Sequence, residues 1–438
     1  MMDRKNALAR TVSLCLAAAL AGCVEAPPIP DARGAYTASG DASVTVPFVF
    51  DNNRIFVELA FVRPDGSLRK TLAFVNQGSG SFVLTNALYR ELGIGEGKPL
   101  RTRIGTMEIA ADTRAVQPED MANSFTLRLN PFGKKRTAAE AAKGPGGSAQ
   151  AMAAPMNVEA VLPPGLLASF ETVFDYGART LTLAPPGTLK PEGVAVPIRV
   201  NPMTGFATLD VGVAGKTYPA VIDDGGSYGL FRASVVTGWV KEHPTWLRAE
   251  GGVGESNLTM SGNFEATAPV VKVPDATLGT LHLGELGAIG PTPEGPLGGM
   301  IEDKFWDWYS AKAGETVSGA IAGNTMKSFR ITFDYKNGMS YWLQQAPLDT
   351  HDLDQVGLTL VHLDGHTGIA GIAKKNGVET VAGAQPGDEI LAIDGHPTAT
   401  MTRGEVLDAL HGAPGTRKHL TLKRSGQTLE IDAPVTGF

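Results

Sequence analysis

Two short stretches carry the residue types most able to do chemistry. Residues 71–78, TLAFVNQG, run from an apolar strand into Asn76-Gln77-Gly78. Residues 218–225, YPAVIDDG, run from a similar strand into Asp223-Asp224-Gly225. A carboxyl presented on a turn at the end of a strand is a candidate proton donor and acceptor. Asp223 fits that role, because it directly follows Val221-Ile222 and has Gly225 two residues on. Asp224, with Gly226 at the same offset, is the runner-up. Asn76 takes the matching place in the first stretch, with Gly78 at its own +2. An amide is no useful base, and loss of a general acid–base group typically costs about 10²–10⁴ in rate.

A second motif overlaps the acidic turn. Gly225-Gly226-Ser227-Tyr228-Gly229 matches G-x-S-x-G, the nucleophile elbow of serine hydrolases, with His243 and His282 downstream as candidate bases. That elbow needs a mostly parallel sheet with alternating helices, whereas this chain reads as hairpin-rich. His362-Leu363-Asp364-Gly365-His366 is dense in ligand types, but Asp-Gly there points to a hairpin turn rather than a metal site.

The elements that must present these turns occur twice. Ile55–Val62 and Thr71–Val75 read as strands joined by the turn Arg63-Pro64-Asp65-Gly66. Ala207–Val213 and Ala220–Ile222 read as a second hairpin, joined through Ala214-Gly215-Lys216. Further on, VLPPGLLASFETVFDYGARTLTL (161–183) parallels AIAGNTMKSFRITFDYKNGMSYWL (320–343). Ser169-Phe170 and Phe174-Asp175-Tyr176 match Ser328-Phe329 and Phe333-Asp334-Tyr335. Two homologous β-rich lobes follow, over 42–187 and 192–346.

A hairpin, D-x-G, then an apolar pair and a glycine, all occurring twice, resembles the aspartic peptidases of the pepsin and retropepsin type. The resemblance implies a mainly β, bilobal acid-protease fold and a polypeptide substrate held between the lobes. In that family two carboxylates face each other and share one proton, so that one acts as base and the other as acid. Carried over, Asp223 is the surviving acid, Asn76 its altered partner, and Gly78 and Gly225 the supporting turn glycines. An aspartic-type endopeptidase is implied if the site works, and a peptide-binding pseudopeptidase if Asn76 disables it. No metal or organic cofactor is implied. The glycine-rich GGVGESNLTMSGN at 251–263 has the composition of a flap.

From about 350 the style changes. QPGDEILAIDG (385–395) resembles the PDZ signature of periplasmic proteases, and a helix pattern near Thr402–Leu410 puts Val406, Leu407 and Leu410 on one face. A small α+β PDZ domain is expected over 350–438. Such domains take a peptide as an added strand and hold its C-terminal carboxylate on backbone N–H groups. Gly357, Leu358, Thr359 and Leu360 are the candidate loop for that.

The N-terminal end reads as an export signal. Arg4, Lys5 and Arg10 precede the short apolar run TVSLCLAAALA, and Leu20-Ala21-Gly22-Cys23 closes it. This resembles a bacterial lipoprotein signal over 1–22, implying lipidation of Cys23, a tether over 23–41 and a periplasm-facing membrane anchor. Val24 in place of Asp leans towards the outer membrane. Cys15 leaves with the signal and Cys23 carries lipid, so no free thiol remains for a disulfide or a nucleophile. Removing Asp3, Arg4, Lys5 and Arg10 takes 38 bases and 45 acids to 35 and 44, a net charge of about −9. That balance argues against a nucleic-acid partner. KKRTAAEAAKGPGGSAQAMAAPM at 134–156 reads as an exposed insertion.

Overall fold

The computed structural model describes residues 32–40, 42–95, 98–119, 156–258, 260, 264–291, 298–363 and 366–438. The expected signal segment, Cys23 and nearly all of the insertion at 134–156 lie outside these residues. The described chain is mainly β.

The repeat seen in sequence is also a repeat of strand pairing. Arg54–Val62 pairs antiparallel with Leu68–Val75, and Val75 then lies parallel to Leu162 on Val158–Leu162. Ala207–Val213 pairs antiparallel with Lys216–Ile222, and Ile222 lies parallel to Ile321 on Gly319–Ile321. In each case a short strand closes the motif from the other side, Phe82–Leu84 on the first and Gly229–Phe231 on the second. One-turn helices follow at the same point, Pro164–Leu167 and Gly323–Met326.

The two repeats meet in one sheet. Six strands of this 14-stranded sheet span the junction, in the order Val194–Pro197, Met339–Gln344, Phe329–Asp334, Glu171–Asp175, Thr180–Ala184 and Val44–Asp51. The order of these six is a palindrome of equivalents, with the antiparallel pair Phe174↔Ile331 near its centre. The doubled Phe-Asp-Tyr motif explains itself here. Phe174 and Phe333 pack edge to face with ring centres 5.9 Å apart across the seam, and both are fully buried. Burial of each ring stabilises by about 1.5–3 kcal/mol, and edge contact between rings adds to that.

The C-terminal unit has its own sheet, ordered Gln355–Val356, Gln427–Thr436, Arg417–Arg424, Glu389–Ile393, His366–Ile372 and Leu358–Leu363. Asp394 and Gly395 both take positive φ, 49° and 79°, in the two-residue turn after Ile393. The helix Arg403–Leu410 starts with a capping box between Thr402 and Glu405 and buries Val406, Leu407 and Leu410. This unit is docked on the repeats. The sheet of the second repeat continues into it through Glu250↔Lys374. Lys272 and Asp352 form a buried ion pair at 2.8 Å. Asp51 accepts hydrogen bonds from Thr402 Oγ1 and from the Gly404 N–H at the helix start.

Candidate functional site

The parallel pairings fix where the two turns begin. The N–H of Asn76 donates to Leu162 O at 3.0 Å, and the N–H of Asp223 donates to Ile321 O at 2.9 Å. Each side chain then folds back on its own turn. Asn76 Oδ1 accepts from Gly78 N–H at 2.8 Å, and Asp223 Oδ1 accepts from Gly225 N–H at 3.0 Å. The turns close alike, with Ser79 N–H on Asn76 O and Gly226 N–H on Asp223 O, at 3.0 and 3.1 Å.

The turns face each other. A Cβ placed on Gly78 would stand 2.6 Å from Asp223 Oδ2, and one on Gly225 would collide with the Asn76 carboxamide. Each side chain is therefore seated over the opposite glycine. This refines the expected role of Gly78 and Gly225. Neither takes positive φ, so close approach of the opposite side chain, and not a left-handed turn, demands the missing Cβ.

Asp223 and Asp224 are separated by direction. Asp224 is fully buried and faces Gln77, whose N–H donates to Oδ1 at 2.7 Å and whose Nε2 donates to Oδ2 at 3.3 Å. Tyr335 of the second Phe-Asp-Tyr motif donates in turn to Gln77 Oε1 at 3.0 Å. Asp224 thus braces the two turns. Burial, opposed by the Gln77 N–H and reinforced by the Asp223 charge, pushes its carboxyl up to about 7. Asp223 is only 8% exposed, and burial raises its pKa as well, against the pull of Tyr309, the turn N–H groups and Arg54.

Two partners of the Asp223 turn, Tyr309 and Arg54, were not legible as such in sequence. Tyr309 Oη donates to Asp223 Oδ2 at 2.9 Å from the helix Gly298–Ala313. Trp306, Tyr309 and Ala313 form the buried face of that helix, while Trp308 and Lys312 lie against Gly80. Arg54, itself buried, holds the Asp223 turn from behind by donating Nε–H to Gly225 O at 2.9 Å. The 3.6-residue period of the helix shows its buried face, but nothing in it points to a turn some 80 residues away.

The other sequence candidates fall elsewhere. Ser227 is fully buried and donates to Leu258 O at 3.1 Å. A strand, Gly229–Phe231, separates it from the next helix, so the strand–turn–helix of an elbow is missing. His243 stacks on Trp246, and His282 is exposed on Leu281–Ile289. His362 is buried on Thr367, and burial with the nearby Arg403 charge brings it down to about 4, while exposed His366 sits on Glu389. Among the described residues no group of three or more His, Cys, Asp or Glu is placed to hold a metal.

The described part of the glycine-rich stretch, whose composition suited a flap, packs on the C-terminal unit. Gly254–Ser256 forms a 3-10 turn against the helix Arg403–Leu410, and Met260 joins the C-terminal core. Gly357–Leu360, the candidate loop for a peptide carboxylate, stands at the start of a sheet edge. Leu358–Leu363 is that edge strand, Leu358, Thr359 and Leu360 are buried, and a Cβ on Gly357 would meet Thr380 and Phe438.

What the arrangement can do follows from its groups. Asp223 is a desolvated carboxyl able to hold or release a proton. With Asn76 Oδ1 taken by Gly78, the amide opposite presents a donor that titrates at no ordinary pH. No curated protein matches the chain. The C-terminal unit does carry a family signature, since residues 375–424 match the PDZ domain family.

Proposed function

We propose that this is a lipid-anchored protein of the bacterial envelope, facing the periplasm, that binds polypeptides on an aspartic-peptidase-like scaffold with one acid missing. Cys23 is the lipidation site in this reading. The observation that carries the scaffold reading is the reciprocal seating of Asn76 over Gly225 and Asp223 over Gly78, while the anchor rests on the signal-like stretch ending at Cys23. That seating, with the matched parallel pairings behind it, is what a two-acid site requires. Asn76 occupies the second place, so ordinary hydrolysis by a shared proton has no second carboxyl to use. The PDZ domain supports a polypeptide partner, because such domains bind peptide C-termini. No described helix is long and apolar enough to cross a membrane.

A second reading has one observation in its favour. Tyr309 Oη stands 2.9 Å from Asp223 Oδ2, so an Asp223–Tyr309 pair would give slow hydrolysis. Digestion of an unfolded polypeptide at acid and neutral pH separates the two. Wild type is expected to be inert, and Asn76→Asp to gain hydrolysis by about 10²–10⁴ over wild type. Asp223→Ala in the Asn76→Asp background is expected to abolish that gain. Cleavage by wild type that is lost in Asp223→Ala and in Tyr309→Phe would instead establish the second reading.

A further inference from the structure

A PDZ domain receives its peptide along an exposed sheet edge beside a helix. In this chain the edge strand is Leu358–Leu363, and three of its backbone polar groups are already taken by an earlier segment of the chain. The N–H of Leu360 donates to Asn257 Oδ1 at 2.7 Å, and the N–H of His362 donates to Met260 O at 2.5 Å. Asn257 Nδ2 also reaches Leu358 O at 3.4 Å. The Met260 side chain has no exposed surface. It belongs to the same apolar cluster as Leu358 and Leu360 of the edge strand and Val406, Leu407 and Leu410 of the helix. Met260 takes φ +47°, a left-handed conformation that a long side chain adopts only when its surroundings hold it there.

We propose that Asn257 and Met260 are an internal ligand of the PDZ domain, and that a peptide ending in an apolar, methionine-like residue reaches the edge strand only by displacing them. Asn257 and Met260 supply the hydrogen bonds that an added strand would make, and Met260 supplies the apolar side chain. The segment is tied at its other side to the Asp223 turn. Leu258 O accepts from Ser227 Oγ at 3.1 Å and from Arg54 Nη2, and Arg54 Nε holds Gly225 O. Displacement withdraws Leu258 from both, so peptide capture at the C-terminal unit loosens the support of the Asp223 turn. This last consequence rests on the reading of that turn as the functional site; the internal-ligand proposal does not.

The test uses a synthetic peptide with the sequence of residues 254–260, GESNLTM, ending in a free carboxylate. The full chain is compared with its Asn257→Ala/Met260→Gly variant by fluorescence anisotropy. The variant is expected to bind at least tenfold more tightly, and the same peptide ending in Asp in place of Met is expected to lose that gain. Equal affinity of the two proteins, or binding by neither, overturns the proposal. A measurement on wild type alone guards against a misfolded variant. Excess peptide is expected to speed hydrogen exchange at the Ser256 and Asn257 amides, which bond to Val253 O and Gly254 O, by at least tenfold. Unchanged exchange there, in a sample where bound peptide is detected, also overturns it.

Discussion

At the scale of single residues, the adjacent acids Asp223 and Asp224 do different work. Sequence placed both beside a glycine and offered only the preceding apolar pair as a reason to prefer Asp223. The fold decides by direction, sending Asp223 to the opposite glycine and Asp224 to Gln77. The brace has a pH signature. Below about pH 4 the Asp224 carboxyl is protonated whether the chain is folded or not. Between about 4 and 7 the unfolded chain ionises it while burial keeps the folded form protonated. This group therefore makes stability fall as pH rises, by up to about 1.4 kcal/mol per pH unit. Above about 7 the loss is complete. Asp224→Asn removes that slope and is expected to gain on wild type between pH 4 and 7, read from urea midpoints. Parallel profiles would remove Asp224 from the account.

At the scale of elements, the turns depend on glycine for contact. Gly78→Ala and Gly225→Ala each drive a methyl into the opposing side chain and are expected to cost about 1–3 kcal/mol. Gly238, inside the helix Ala233–Glu242, has open space where a Cβ would go. Gly238→Ala is expected to leave stability equal or raise it by up to about 1 kcal/mol. Chemical denaturation checks all three, and a neutral Gly225→Ala would contradict the seating of Asn76. Hairpins and the capped helix near 402–410 were legible because turn chemistry and periodicity are local. The doubled Phe-Asp-Tyr strands were legible because duplication leaves two copies to compare. The helix Gly298–Ala313 was not, because its link to Asp223 is a long-range contact through one hydroxyl. The edge-strand role of Leu358–Leu360 was missed for the same reason, since its partners Asn257 and Met260 lie about a hundred residues earlier.

At the scale of the whole molecule, the C-terminal unit is built into the frame that holds the turns. Lys272 and Asp352 are each nearly inaccessible, and Asp352→Ala leaves a buried ammonium without its partner. The expected cost is about 3–5 kcal/mol, seen in the unfolding of the second repeat and the C-terminal unit together. Independent unfolding of the C-terminal unit at wild-type stability would contradict that coupling. The central claim is that Asn76 and Asp223 are the two halves of one site. Carbon-13 titration of the aspartate carboxyls tests it most directly, in wild type and in Asn76→Asp. In wild type Asp223 is expected to titrate with a raised pKa, coupled only to its neighbour Asp224. In the variant a further, widely separated coupled step is expected, because two carboxyls so placed share one proton. Two independent titrations, with Asp223 unmoved by the new acid, would contradict it.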